Sequence, residues 1–197
     1  MLLFREQMGN YATEVRRVAL QLVGAILESL GLNQVYLRNK FDCRTQVMAT
    51  NFYQQSSEPN LEVGLNSHSD YGFITILLQS SQGLQVKDRD KGTWRSVPHL
   101  PGALHIQIGD HMEALSNGRH RSVIHRAMLN PETRRISIAS IHDLSMDEKV
   151  APAKEMVDEH NPKGHRETSF RDFLNYMSIE DCKKRKPYLE YLKILGK

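Results

Sequence analysis

The chain has 197 residues, 40% hydrophobic and 25% charged, which is ordinary globular composition and long enough for one full core. Its 26 Lys and Arg against 23 Asp and Glu leave a formal charge of +3, too small a surplus to argue for nucleic acid as a partner. Two cysteines, Cys43 and Cys182, make no disulfide framework; no apolar run approaches the roughly 20 residues that span a membrane; and Arg5, Glu6, Glu14, Arg16 and Arg17 argue against a secretory signal, so cytoplasm is the expected location.

From about Arg5 to Leu30, the residues Tyr11, Val15, Val18, Leu22, Ile26 and Leu30 recur at three- and four-residue steps. That period predicts one long helix with a core-facing stripe, and Gly31 supplies its stop. After a loop around 39–43 the period becomes alternating. Residues 44–53 predict a strand on which Val47, Ala49, Asn51 and Tyr53 share a face. A polar loop with Pro59 covers 56–60, and the His68 segment and 74–79 read as further strands. Residues 83–88 and 93–97 predict a hairpin whose loop, Arg89-Asp90-Lys91-Gly92, is charged and ends in Gly. Trp94, the only tryptophan, reads as a packing anchor.

Pro98 and Pro101 bracket a turn, 103–108 alternates again, and Ser116-Asn117-Gly118 is a strong turn signal. Residues 122–130 and 134–142 predict two more strands joined through Pro131-Glu132-Thr133. Near Thr168 a short helix is expected, with Ser169 and Asp172 as a capping pair and Phe170, Phe173, Leu174 and Met177 as its apolar side. The basic run Lys183-Lys184-Arg185-Lys186 reads as a solvated end. Seven or eight short strands with regularly spaced turns indicate an all-β sandwich or barrel, with the long helix lying against it.

The chemistry gathers around His68-Ser69-Asp70. On a strand, residues two apart leave the same face. An imidazole and a carboxylate placed so are two of the three ligands of a 2-His-1-carboxylate iron(II) site. His125, on a later predicted strand, is the candidate for the third. Arg135 and Ser137 again share a face, and a guanidinium with a hydroxyl suits an acid's carboxylate. A lone His-x-Asp is common; the order His-x-Asp, His, Arg-x-Ser, each on a predicted strand, is not. His99, His105, His111, His120, His142, His160 and His165 have no carboxylate two positions on followed by such an arginine, and the adjacent His142 and Asp143 point apart on a strand.

Several stretches carry a family resemblance: Met48-Ala49-Thr50-Asn51-Phe52-Tyr53, His68-Ser69-Asp70-Tyr71-Gly72-Phe73, Gly83-Leu84-Gln85-Val86, Ile108-Gly109-Asp110, Leu115-Ser116-Asn117-Gly118-Arg119, His125-Arg126-Ala127 and Arg135-Ile136-Ser137. With them the chain resembles the plant-type, isopenicillin-N-synthase-like iron(II)/2-oxoglutarate dioxygenases from about Met8 to near its C-terminus. The resemblance implies a mainly β fold with flanking helices: a double-stranded β-helix (jelly-roll) barrel with the long N-terminal helix packed outside. It implies a single domain, 1–197, with a helical segment over 1–43, the dioxygenase core over 44–144 and a helical extension over 145–197.

The same resemblance assigns Fe(II) to His68, Asp70 and His125, with no catalytic residue beyond these ligands. It assigns the C5 carboxylate of 2-oxoglutarate to Arg135 and Ser137, with Asn51 and Tyr53 reaching the cosubstrate. O2 is the co-reactant and ascorbate the reductant. The implied activity is hydroxylation or desaturation of a small organic molecule such as a plant secondary metabolite or hormone, by a monomer that engages neither nucleic acid nor membrane. The alternatives are a same-fold oxidase that does not use 2-oxoglutarate, or a truncated, catalytically silent binding protein. Two departures stand out. Tyr53-Gln54-Gln55-Ser56 replaces the family's usual Tyr-Pro-Pro-Cys. Members of the family also carry a sizeable region ahead of the long helix, so an incomplete substrate pocket, uncovered barrel surface, self-association and poor coupling of cosubstrate to substrate oxidation are expected here.

Overall fold

The change from a three-to-four-residue period to alternation marks the change from helix to sheet. The computed structural model describes residues 2–33, 45–55, 63–178 and 187–194; the expected loops at 39–43 and 56–60, residue 44, Cys43, Cys182 and the basic run 183–186 lie outside the described residues. The first helix, α1, spans Leu2–Ser29. Its buried stripe is Val15, Ala19, Val23 and Leu27, which pack with Phe73, Ile74, Ile76 and Met112 in one apolar cluster. Tyr11, Val18, Leu22 and Ile26 only flank that stripe. Val15 and Leu30 of the predicted stripe are buried in this cluster, while between them Ala19, Val23 and Leu27 take the places expected for Val18, Leu22 and Ile26, so the middle of the helix is turned by one position.

The end of α1 is a Schellman motif. Gly31 N–H donates to Glu28 O at 2.9 Å and Leu32 N–H to Leu27 O at 2.9 Å, with Gly31 at φ +72°. A methyl group at Gly31 would meet nothing within 4 Å. Gly31→Ala should therefore cost only the left-handed backbone penalty, about 1–2 kcal/mol, measurable by urea denaturation.

Eight strands follow: β1 Thr45–Tyr53, β2 Val63–His68, β3 Ile74–Gln79, β4 Leu84–Lys87, β5 Trp94–Ser96, β6 His105–Ile108, β7 His125–Met128 and β8 Arg135–Asp143. They form two four-stranded antiparallel sheets, ordered β1-β8-β3-β6 and β2-β7-β4-β5. A cavity lies between them, lined by residues of both. On β1 the face of Ala49, Asn51 and Tyr53 lines it. The alternate residue Phe52 pairs across the strand with Ile136 on the outer surface, where they are 57% and 47% exposed. Trp94 packs under the guanidinium of Arg126, 4.2 Å from its ring centre.

Between β6 and β7 lies a helix that the hydrophobic period does not announce, α2, Asp110–Leu115. All six of its residues are buried, polar ones included, so it has no polar face to alternate with. Glu113 Oε2 accepts the Ser122 amide at 2.6 Å and Arg89 Nη2 at 3.1 Å, while the same Arg89 nitrogen donates to Ser122 O at 2.7 Å. These bonds tie down the approach to β7. A capping box of Ser169 and Asp172 starts α3, Phe170–Met177, and α4 is Tyr188–Leu192. Only half of the predicted apolar side of α3 is packed. Phe170 and Phe173 stack on Tyr71, with ring centres 4.4 and 4.6 Å away, while Leu174 and Met177 face solvent. The flat face of Tyr71 selects the two phenylalanines.

Burial pushes the Glu113 carboxyl up, but the His165 imidazole 3.6 Å away, the hydrogen bond from the Ser122 amide and the charge of Arg89 outweigh it and hold the group below its ordinary value. A carboxylate depressed in the folded state stabilises fully above its unfolded value, about pH 4.3, and that stabilisation disappears as pH falls through the folded value. Glu113→Gln should lower the melting temperature at pH 7 and flatten its fall between pH 5 and 3, read by thermal melts across that range.

Candidate active site

At the end of the cavity, β2 and β7 pair through His68 and His125. Their rings lie with centres 4.3 Å apart. Asp70 Oδ1 is 3.7 Å from His68 Nε2 and 3.9 Å from His125 Nε2. All three ligand atoms fall within 4.8 Å of one another, the only such group of three or more His, Cys, Asp or Glu among the described residues. The other ring nitrogens are occupied: His68 Nδ1–H donates to Asn66 O at 2.7 Å and His125 Nδ1–H to Val123 O at 3.1 Å. A carbonyl only accepts, so each Nδ1 carries the proton and each Nε2 lone pair is free for a metal.

The strand rule explains His68 and not Asp70. β2 stops at His68, and Ser69 and Asp70 belong to the following loop. That loop is aimed by backbone bonds: Asp110 N–H to Asp70 O at 2.8 Å, His111 N–H to Tyr71 O at 3.1 Å and Gly109 N–H to Phe73 O at 3.0 Å. Gly109 must be glycine, since a Cβ there would stand 2.1 Å from Gly72 O. Ser69 Oγ donates to Asp110 Oδ2 at 3.1 Å, and burial pushes the Asp110 carboxyl up to about 7. None of these supports was visible in the spacing of the ligands.

Burial pulls the His125 imidazole below its ordinary value, opposed by the Asp70 carboxylate. At neutral pH the ring is therefore uncharged, the form that binds metal.

The other end of the cavity holds Arg135 and Ser137, each 2% exposed. Arg135 Nη2 donates to Gln79 Oε1 at 2.9 Å, its Nε to Ser81 O at 3.3 Å, and its guanidinium carbon sits 4.8 Å from the centre of the Tyr53 ring. Nη1 is buried without a hydrogen-bond partner, and among the described residues no carboxylate pairs with this cation. An unpaired buried charge is expensive, and an anionic ligand is what would relieve it. Asn51 and Tyr53 line the same cavity, about 230 Å³ in volume.

Four of the other seven histidines have neighbours away from this site. His111 Nδ1 meets Asp143 Oδ1 at 2.8 Å inside the core, His142 meets Ser140 at 2.9 Å, His105 meets Gln79 at 3.0 Å, and His165 lies beside Glu113. Thr75 and Gln107 also line the cavity, and sequence reasoning passed over both.

Two antiparallel sheets around a cavity with a two-histidine, one-carboxylate face at one end define a jelly-roll protein with a non-haem metal centre. The comparisons make the class specific. The chain belongs to the 2OG-Fe(II) oxygenase superfamily, whose family model matches residues 44–143. It is 53% identical over 192 residues to 2-oxoglutarate-dependent dioxygenase 21, chloroplastic, of Oryza sativa subsp. japonica, covering 97% of this chain and 57% of that protein. It is 49% identical to flavanone 3-dioxygenase 3 of the same organism, covering 98% of this chain and 59% of that one. Its fold matches the crystal structure of JOX2 in complex with 2OG, Fe and JA, with a TM-score of 0.85, 28% identity, and coverage of 96% of this chain and 56% of that one. The chain thus spans less than two thirds of the length of these relatives. No described helix is long and apolar enough to cross a membrane.

Asp70→Ala leaves two neutral imidazoles and no anion, so it should abolish stoichiometric Mn(II) binding in calorimetry, whereas wild type binds one ion. Wild-type affinity should fall in acid as the His125 ring, held below its ordinary value by burial, takes up a proton. Equal affinity in Asp70→Ala would place the metal elsewhere.

Proposed function

We propose that this chain is an iron(II)- and 2-oxoglutarate-dependent oxidoreductase acting on a small organic molecule, a plant secondary metabolite or hormone. His68, Asp70 and His125 hold Fe(II) through two Nε2 atoms and one carboxylate oxygen, leaving coordination positions open. The orphaned Nη1 of the buried Arg135 carries the reading: it calls for a carboxylate, and the C5 carboxylate of 2-oxoglutarate supplies one. Ser137 offers a hydroxyl beside it, and Asn51 and Tyr53 flank the chain of the diacid.

Iron(II) with O2 supplies the oxidising power when bound: the 2-oxo acid becomes succinate and CO2, with one oxygen atom in succinate and the other available to a C–H bond of the substrate. The protein's own part is positioning and shielding. Nδ1–H bonds to Asn66 and Val123 keep both imidazoles in the metal-binding tautomer. Leu77, Leu84 and Ile141 make the cavity wall apolar, which keeps water off the bound cosubstrate and suits an organic substrate. Relatives that carry the names flavanone 3-dioxygenase and dioxygenase for auxin oxidation support a flavonoid or a hormone acid as the substrate class.

The chain works as a single domain and as a monomer in the cytoplasm; the exposed Phe52–Ile136 pair is the apolar surface through which any self-association would run. Localisation of the tagged chain tests the compartment, and a plastid signal, as the chloroplastic relative suggests, overturns it.

Arg135→Lys keeps the charge and loses the planar pair of donors, so 2-oxoglutarate should bind at least about tenfold more weakly. Arg135→Gln should bind it more weakly still. Mn(II) affinity should survive both changes, because the three ligands are untouched. Labelled 2-oxoglutarate should release CO2 with the wild type and iron. Binding unaltered by either substitution sinks the cosubstrate assignment and favours an oxidase that works without 2-oxoglutarate; binding without turnover on any substrate panel favours a silent binding protein.

A further inference from the structure

Two polar side chains in the cavity wall each bury an atom that has no hydrogen-bond partner among the described residues. Thr75 on β3 and Gln107 on β6 stand directly opposite each other across the strands. They are 2% and 6% exposed. Thr75 Oγ1 and Gln107 Nε2 make no hydrogen bond, yet both residues line the cavity that His68, Asp70 and His125 share. Buried polar groups are normally paired, and two adjacent ones left open on a cavity wall are groups waiting for a ligand.

Their place along the strands says which part of the ligand they meet. The far end of β3 is the arginine end, where Gln79 accepts from Arg135 and meets His105. Thr75 lies four residues back, about 13 Å by the rise of a strand, just after the loop that carries Asp70. Gln107 occupies the matching level on β6, two residues before Gly109, whose amide, with that of Asp110, holds the same loop. Between the two levels the wall is apolar, with Leu77 opposite Ala139. The cavity therefore has two polar ends and an apolar middle, the pattern of a short diacid lying along it.

Gln107 Nε2 can only donate, and the Thr75 hydroxyl can donate as well. Two donors suit a carboxylate oxygen. We infer that Thr75 and Gln107 form a subsite for the 2-oxo-acid end of 2-oxoglutarate, opposite the Arg135 and Ser137 end. This rests on the cosubstrate reading above. The two are positioning residues for the ligand end nearest the metal ligands.

The test uses Thr75→Val, Gln107→Met and Thr75→Ser, with Arg135→Gln alongside. Each protein is loaded with Mn(II) and titrated with 2-oxoglutarate by calorimetry, and its ligand-free melting temperature is measured. Thr75→Val and Gln107→Met should each weaken 2-oxoglutarate by about tenfold, the usual loss for one hydrogen bond to a charged group. Mn(II) affinity should stay within twofold. The ligand-free melting temperature should be unchanged or higher, because an unpaired polar group leaves an apolar wall. Thr75→Ser keeps the hydroxyl and should keep wild-type affinity. A lower melting temperature with unchanged 2-oxoglutarate affinity in both apolar variants overturns the subsite and leaves only a packing role. If Arg135→Gln loses 2-oxoglutarate while those two variants bind it normally, the subsite alone falls. If wild type does not bind 2-oxoglutarate, or Arg135→Gln binds it as wild type does, the cosubstrate reading falls with it.

Discussion

The contact on which most else depends is made by backbone alone. The amides of Gly109, Asp110 and His111 face the carbonyls of the loop from Asp70 to Phe73. The approach is close enough that only glycine fits at 109. On one side this contact aims the Asp70 carboxylate at the two imidazoles. On the other it launches α2, whose Met112, Ala114 and Leu115 join the apolar cluster under α1. Tyr71, from the same loop, stacks on Phe170 and Phe173 and so draws the C-terminal helix onto the site. His111, next in α2, pairs with Asp143 at the end of β8. Metal geometry and core packing are thus one problem: a shift of the loop disturbs both, and neither relaxes independently.

The second constraint is electrostatic. Burying the Arg135 guanidinium costs free energy that the Tyr53 face, Gln79 and Ser81 offset only in part, since Nη1 stays open. At the opposite end the Asp70 carboxylate sits beside the His68 and His125 imidazoles and, among the described residues, pairs with no Lys or Arg. The ligand-free protein therefore carries two charges of opposite sign, each short of a partner, at the two ends of one cavity. On the proposed function a metal ion would relieve one and a dicarboxylate the other. Loading both should stabilise the fold by mass action beyond what either contact contributes alone.

The strands, the long helix and the hairpin were legible in the sequence because each has a clean period bounded by glycine or a turn cluster. His68, His125, Arg135 and Ser137 were legible because strand parity fixes which way a residue faces. Asp70 reached the right place for another reason, being held by a loop and not by the pleat. Helix α2 stayed hidden because Asp110, His111 and Glu113 are buried beside its apolar residues, which erases the amphipathic signal. The middle of the α1 stripe was displaced to Ala19, Val23 and Leu27 by the sheet it meets, and the apolar side of α3 was narrowed to Phe170 and Phe173 by the ring they stack on. Such choices belong to tertiary contact and leave no mark in local spacing.

Thr75 and Gln107 were missed for an instructive reason. In His105-Ile106-Gln107-Ile108 the alternation invites the reading that the isoleucines face in and the polar residues face water. The structure has it reversed: Ile106 is 42% exposed and Gln107 is 6% exposed. The same inversion runs through the whole sheet β1-β8-β3-β6, whose inner face carries Asn51, Tyr53, Thr75, Arg135 and Ser137 while its outer face carries Phe52, Ile74, Ile76, Ile106 and Ile136. A sheet whose inner side must grip a charged ligand has its apolar residues left for the outside, and those need cover. Helix α1 provides it over Ile74 and Ile76. The long helix and the polar groups of the cavity are then linked: the helix is the apolar layer over a sheet that turns Thr75, Arg135 and Ser137 inward and Ile74 and Ile76 outward.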